Sequence, residues 1–326
     1  MQPDATSSVA SLMQELRDRA GRVVVGQSEN IERVFLALLC GGHVLLEGVP
    51  GTAKTLLART VARLLGIGSK RIQFTPDLMP SDILGTNVFD LKTSTFEFRP
   101  GPVFTDIVIA DEINRTPPKT QAALLEVMEE KTVTIDGISH RLSELFTVVA
   151  TQNPIEYEGT YRLPEAQLDR FLLKLAVAFP PPAEEDRILG LYQGRAGLGH
   201  PLDLLGPEAA ADGSALRGLL LQARQAVGGV TVRPEVVAYI GQVVRRTRET
   251  DRVLQGASSR AAVHLLQASK AQALMAGRAF VIPDDVKRIC LPVLRHRITL
   301  QPDAYVEGFT ADDILGGVLG RVEVPR

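Results

Sequence analysis

The sequence predicts an α/β protein, a parallel sheet flanked by helices, followed by an all-helical domain. Two observations carry that prediction. Short apolar runs, "HVLLE" (43–47), "RIQFT" (71–75), "IVIAD" (107–111), "FTVVAT" (146–151) and "LKLAVAF" (173–179), alternate with helical patterns, as strands buried on both faces of a helix-covered parallel sheet do. A proline-rich break, "FPPPAEED" (179–186), then ends the strand region, and runs near 184–197, 214–227, 234–249, 259–276, 283–295 and 311–320 have helical periodicity. The expected domains are 1–182 and 183–326.

Taken in order, Leu12 to Val25 has helical spacing up to the turn-forming Gly26-Gln27, and Ile31 to Cys40 forms a second helix stopped by Gly41 and Gly42. The first strand follows, then the loop "GVPGTAKT" (48–55) and an amphipathic helix. "NVFDLKTSTFEFRPG" (87–101) and "TVTIDGISHRL" (132–142) alternate apolar and polar residues about a turn, the second with Asp136-Gly137 at its tip, and read as β-hairpins added to the core. Between them, "TPP" introduces a helix from Lys119 to Glu130 with Thr116 as its expected N-cap. Loops and insertions on a rigid scaffold often carry the contacts with partners.

A chain of 326 residues with 45% hydrophobic and 23% charged residues affords a large core, and excludes wholesale disorder. The formal net charge of -2 argues against a general electrostatic affinity for nucleic acid. Cys40 and Cys290 sit in apolar settings without metal-ligand spacing and read as buried, reduced thiols. No run of 18 apolar residues occurs and the N-terminus has no basic start before an apolar core, so a cytoplasmic protein without membrane insertion is expected.

The chemistry gathers at the strand ends. A loop between a buried strand and a helix exposes N–H groups at the positive end of the helix dipole, which suits phosphate. In "GVPGTAKT", Gly48 and Gly51 let the backbone approach an anion, Lys54 can reach the β and γ oxygens, and Thr55 can offer a hydroxyl to Mg²⁺. Ala53 stands where the P-loop pattern has glycine. Its methyl costs about 1–2 kcal/mol if the residue is left-handed, and little if it already begins the helix. Asp111 and Glu112 directly follow an apolar strand, so that Asp111 can hold Mg²⁺ while Glu112 takes a proton from, or orients, the water attacking the γ-phosphate. Asn153, ending the strand "FTVVATQNP", can hydrogen-bond that water or a γ-phosphate oxygen. Arg170 reads as part of a short helix leading into the last strand. Arg260 falls in a helix's first turn, where a cation opposes the dipole unless an anion is near.

With these residues in view, the chain resembles the AAA+ ATPases and, within them, the MoxR family, a clade that includes magnesium chelatase motor subunits. Carrying the likeness are "GVPGTAKT" (48–55), "ADEINRTPPKTQAALLEVMEE" (110–130), "ATQNPIEYEGTYRLPEAQLDRF" (150–171) and "GASSRA" (257–262). Ala53 fits this family, in which "GxAKT" is usual. The resemblance implies an AAA+ core with a helical lid, with ATP and Mg²⁺ bound. The nucleotide is expected on Gly48, Val49, Pro50, Gly51, Thr52, Ala53, Lys54, Thr55 and Leu56, with Val24, Val25, Gly26 and Gln27 lining the adenine pocket. Thr55 and Asp111 are the implied metal ligands, Glu112 the catalytic carboxylate of the Walker B pair and Asn153 the first sensor. Arg170 is the implied finger reaching a neighbour's ATP, and Arg260 the second sensor, tying the lid to the γ-phosphate. Ser259 stands where many members have proline. A hexameric ring, chaperone-like remodelling or metal insertion, and a partner with a von Willebrand factor A domain are further implications. A nucleic-acid-stimulated motor, a small-molecule P-loop kinase and a nucleotide-gated scaffold are the alternatives; "TVTIDGISHRL" carries only His140 and Arg141 as basic residues, which disfavours the first.

Overall fold

The computed structural model describes residues 5–154, 160–193, 200–206 and 213–325. Helices α1 (Ala5–Ala20) and α2 (Ser28–Leu39) lead to β1 (Val44–Glu47), α3 (Lys54–Leu64), β2 (Ser69–Gln73) and α4 (Pro80–Leu84). The hairpin β3 (Gly85–Asp90) and β4 (Thr95–Pro100) precedes β5 (Ile107–Asp111) and α5 (Pro118–Glu130). A second hairpin, β6 (Thr132–Ile135) and β7 (Ile138–Arg141), is followed by β8 (Thr147–Gln152), α6 (Glu165–Leu168) and β9 (Leu173–Ala176). The remainder comprises α7 (Pro182–Tyr192), α8 (Gly213–Gly229), α9 (Pro234–Arg248), β10 (Val253–Gln255), α10 (Ser259–Met275), α11 (Pro283–Leu294), β11 (Thr299–Leu300), α12 (Pro302–Val306) and α13 (Ala311–Arg321).

Five strands form one parallel sheet in the order β2-β5-β8-β1-β9. Side chains alternate across it, because successive residues of a strand point to opposite faces. Val44, Leu46, Ile107, Ile109, Val149, Leu173 and Leu175 join a core shared with α1–α3 and with the helices beyond residue 213. Leu45, Val108, Ala110, Val148 and Ala150 face a second core made with α5 and Phe146. Both faces are covered, so the strands read as unbroken apolar runs. All five parallel strands end on the same edge, and that edge carries the loops after β1, β5 and β8.

Several local expectations change. The first helix stops at Ala20 rather than Val25, where Gly21 opens a turn whose Val23 and Val24 N–H groups return to the Ala20 carbonyl. Pro117, not Thr116, caps α5, because Pro118 with its fixed φ takes the first helical position. Arg170 lies two residues past the end of α6 rather than on it. The region after residue 182 is not purely helical, since β10 and β11 pair antiparallel; such two- and three-residue strands carry too little alternation to show in a sequence. Residues 194–197 of an expected helix lie outside the described residues. Cys290 is buried, whereas Cys40 is only partly so.

Both hairpins form, in the registers Asp90↔Thr95 and Ile135↔Ile138 at their tips. They brace each other: Asn87 Nδ2 donates to Asp136 Oδ2 at 2.6 Å, and Phe98 stacks on His140 with ring centroids 4.1 Å apart. Among the described residues no helix is long and apolar enough to cross a membrane.

Candidate active site

The loop after β1 is shaped by two glycines. A Cβ on Gly48 would lie 2.2 Å from the Val177 carbonyl oxygen, so no side chain fits there, and Gly51 has φ +84° with open space around it. Ala53, at φ 61° and ψ 23°, adopts the left-handed conformation, the costly alternative of the two. Such outliers concentrate at functional sites, where the surrounding structure enforces them. The N-terminus of the eleven-residue α3 thereby opens into a cavity of about 470 Å³ with Pro50, Gly51, Thr52, Ala53, Lys54, Thr55 and Leu56 on one wall. Asp111, Glu112 and Asn153 line it from the ends of β5 and β8, as do Arg71 and Gln73 of β2, Thr151 and Gln152. Lys54 Nζ donates to the carbonyls of Gly48 (2.6 Å) and Val49 (2.7 Å). Burial lowers its pKa against the raising influence of Asp111 and Glu112.

Asp111, only 6% exposed, is fully engaged. Its Oδ1 accepts from Thr55 Oγ1 (2.9 Å) and Thr151 Oγ1 (2.6 Å), and its Oδ2 from Thr55 Oγ1 (3.0 Å) and from Arg71 Nε (3.0 Å) and Nη2 (2.6 Å). Burial pushes this carboxyl up, but the hydrogen bonds from Thr151, Arg71 and Thr55 and the charge on Arg71 outweigh it, leaving the group below the usual carboxylate range. Glu112 is left-handed at φ 58°, and its N–H donates to Thr151 Oγ1 at 2.9 Å. Its carboxylate accepts from Gln73 Nε2 (3.0 Å) and pairs with Arg115 Nε (3.1 Å). Thr151, Arg71, Gln73 and Arg115 were not marked by the sequence. Only the i, i+2 polar pair in "RIQ", which puts Arg71 and Gln73 on one face of an edge strand, hints at them.

Mg²⁺ suits the donors here. Thr55 and Asp111 offer adjacent hard oxygens, and no group of three or more His, Cys, Asp or Glu capable of holding a metal occurs among the described residues. A few protein oxygens completed by phosphate and water is the usual Mg²⁺ arrangement.

The remaining expected residues lie elsewhere. Val24 and Val25 are buried, Gln27 accepts from Asn30 Nδ2 at 2.6 Å, and neither they nor Gly26 line the cavity of Lys54. Arg170 and Arg260 are also absent from it. Arg170 Nε instead meets Glu129 Oε2 at 2.9 Å, while Arg260 approaches Glu129 Oε1 (3.6 Å) and Asp169 Oδ2 (3.9 Å). This cluster sits at the amino-terminal edge of the sheet. Arg170 precedes β9 and the Leu172 N–H bonds the carbonyl of His43, just before β1, whereas the phosphate loop follows Glu47 at the far end of that strand. At roughly 3.3 Å per residue the four paired positions of β1 and β9 alone separate them by about 13 Å. Buried Arg297 holds the Arg170 segment in place: its guanidinium donates to Asp169 Oδ1 (2.6 Å) and to the carbonyls of Phe171 (2.6 Å) and Leu172 (3.2 Å).

Residues 43–173 match the family model described as "ATPase family associated with various cellular activities (AAA)", and residues 245–316 match "AAA lid domain". The chain is 45% identical to Bacillus subtilis YeaC, an uncharacterized protein, over 94% of this chain and 93% of that one. It is 42% identical to the Mycobacterium tuberculosis chaperone MoxR1, over 94% of this chain and 80% of that one. A crystal structure of a Cytophaga hutchinsonii protein described as an ATPase superposes with a TM-score of 0.87 at 37% identity, over 99% of this chain and 97% of that one. With that breadth of likeness, and with the phosphate loop and paired acids on one cavity, the chain belongs to the MoxR family of AAA+ ATPases.

Proposed function

We propose that this ATPase works as a ring, hexameric as the family likeness suggests, with each ATP held by one protomer and completed by arginines of the next. Lys54 and the loop N–H groups would bind the phosphates, and Thr55 and Asp111 would hold Mg²⁺, which offsets phosphate charge when bound. Glu112 would accept the proton of the attacking water, and Asn153 would orient that water. Arg170 would stabilise charge on the terminal phosphate; a comparable finger contributes about 10³–10⁵ in rate in related chemistry. Val24 to Gln27 remain the proposed adenine-side segment, and 1–182 and 183–326 the proposed core and lid.

One observation carries the trans reading. Arg170 and Arg260 share Glu129 at the sheet edge opposite Lys54, so a triphosphate on Lys54 lies a strand's length from both. Arg260 therefore joins Arg170 as a second trans-acting cation, instead of tying its own lid to its own nucleotide. The experiment mixes inactive variants. Arg170→Ala with Glu112→Gln should recover part of the ATPase activity, because some interfaces then pair an intact acid with an intact finger; no recovery at any ratio refutes trans action. Arg170→Ala with Arg260→Ala should stay inactive, since every donor protomer lacks one arginine. Recovery there would return Arg260 to its own protomer's nucleotide.

Chaperone-like remodelling or metal insertion, acting with a partner that carries a von Willebrand factor A domain, is the reading that the likeness to MoxR1 supports. The first hairpin offers a contact surface: Leu91 at its tip is 85% exposed, beside exposed Phe89 and Phe96. Co-purification with the Glu112→Gln variant in ATP, compared with a Leu91→Ser, Phe96→Ser form, tests whether this tip meets the partner.

A further inference from the structure

Arg71 has no part in the reaction as set out above, yet it occupies the strongest position in the cavity. Its guanidinium spans Asp111 Oδ2 through Nε (3.0 Å) and Nη2 (2.6 Å), and the same Nη2 reaches Gln73 Oε1 at 2.7 Å. Gln73 in turn donates to Glu112 Oε2 at 3.0 Å. A continuous chain, Asp111–Arg71–Gln73–Glu112, thus joins the two acids through the edge strand β2.

Mg²⁺ requires an octahedral oxygen shell at about 2.0–2.1 Å, with Thr55 and Asp111 as its protein neighbours on the reading above. A divalent ion at Asp111 and a guanidinium spread across Oδ2 compete, because the two cations repel at close range and draw on the same carboxylate. The Arg71 side chain is 49% exposed and lines the cavity, so it has room to turn. The nearest new anion is the terminal phosphate that arrives with the ion.

We infer that Arg71 is a placeholder cation that neutralises Asp111 in the nucleotide-free protein, yields it to Mg²⁺ when ATP binds, and then pairs with the terminal phosphate. Arg71 is a positioning residue, and the inference rests on the ATPase reading.

The test uses the full chain and two readouts other than turnover. Mn²⁺ binding to nucleotide-free protein, followed by electron paramagnetic resonance, should be about tenfold or more tighter in Arg71→Gln than in the wild type, since a competing charge within a few ångströms is removed. ATPγS with Mg²⁺ should bind about tenfold more weakly to the variant while ADP affinity stays within about twofold, because only the terminal phosphate is proposed to meet Arg71. Unchanged Mn²⁺ affinity, or an equal loss for ADP and ATPγS, overturns the inference. Should Arg71→Gln fail to fold, Arg71→Met keeps the alkyl stem without the charge, and its Mn²⁺ affinity should rise in the same way; a wild-type value there overturns the inference equally. A wild-type protein that binds neither nucleotide would instead remove the ATPase reading itself, and the placeholder with it.

Discussion

Thr151→Val is the sharpest probe of how the acid pair is held. Thr151 is fully buried, donates to Asp111 Oδ1 at 2.6 Å and accepts the Glu112 N–H at 2.9 Å. Valine keeps the shape and removes both bonds. A hydrogen bond to a charged group contributes about 1.5–3 kcal/mol and a neutral one about 0.5–1.5, so the loss should be about 2–4.5 kcal/mol. Without the Thr151 hydroxyl the Asp111 pKa rises, and the left-handed Glu112 loses its backbone tether. Thr151→Ser, which keeps the hydroxyl and deletes a methyl, is the control. Differential scanning fluorimetry without nucleotide should show Thr151→Val melting at least about 5 °C below wild type. Thr151→Ser should fall between them, and ATP turnover should follow the same order. A valine variant that melts no lower than the serine variant would refute the hydroxyl's role and leave only packing.

Other outcomes follow from the same geometry. His43 is fully buried and neutral, receiving the Val148 N–H on Nδ1 at 2.9 Å with Nε2 facing the Met128 carbonyl at 3.1 Å, and burial pushes its pKa down to about 4. An imidazole with a depressed folded pKa contributes stability that is present above about pH 6.5 and lost as pH falls toward 4, about 2 kcal/mol by pH 5. Unfolding free energies from urea titrations at pH 7 and pH 5 should therefore differ by about that much more in the wild type than in His43→Asn. Ala53→Gly should raise the melting temperature, since relief of the left-handed alanine, about 1–2 kcal/mol, exceeds the unfolded-chain entropy that glycine adds; an unchanged or lower value speaks against that backbone conformation. Arg297→Met should cost about 3–5 kcal/mol as a broken buried pair. In mixtures it should behave as a finger-deficient protomer, recovering activity with Glu112→Gln but not with Arg170→Ala, while still binding ATP.

Much of the fold and part of the site were legible in the chain. The five strands were found because parallel strands buried on both faces are apolar throughout, as "IVIAD" shows by matching β5 residue for residue. The loop expected to hold phosphate was legible because its glycines, lysine and threonine stand within eight consecutive residues. Arg71, Gln73 and Thr151 escaped because each meets its acid across 39 or 40 residues of chain, and Arg297 because its partner Asp169 lies 128 residues away.

The sequence by itself determined which residues stand at strand ends, since local apolar periodicity and turn chemistry decide where strands stop. Only the tertiary structure decided which end each one occupies: β1, β5 and β8 bring Lys54, Asp111, Glu112 and Asn153 to one edge, whereas Arg170 and Arg260 meet at the other. The physical reason is that a parallel sheet fixes direction. Arg170 directly precedes β9 and so stands at the edge opposite the loop after β1, and Arg260 joins it there through Glu129 and Asp169 rather than at the cavity of Lys54.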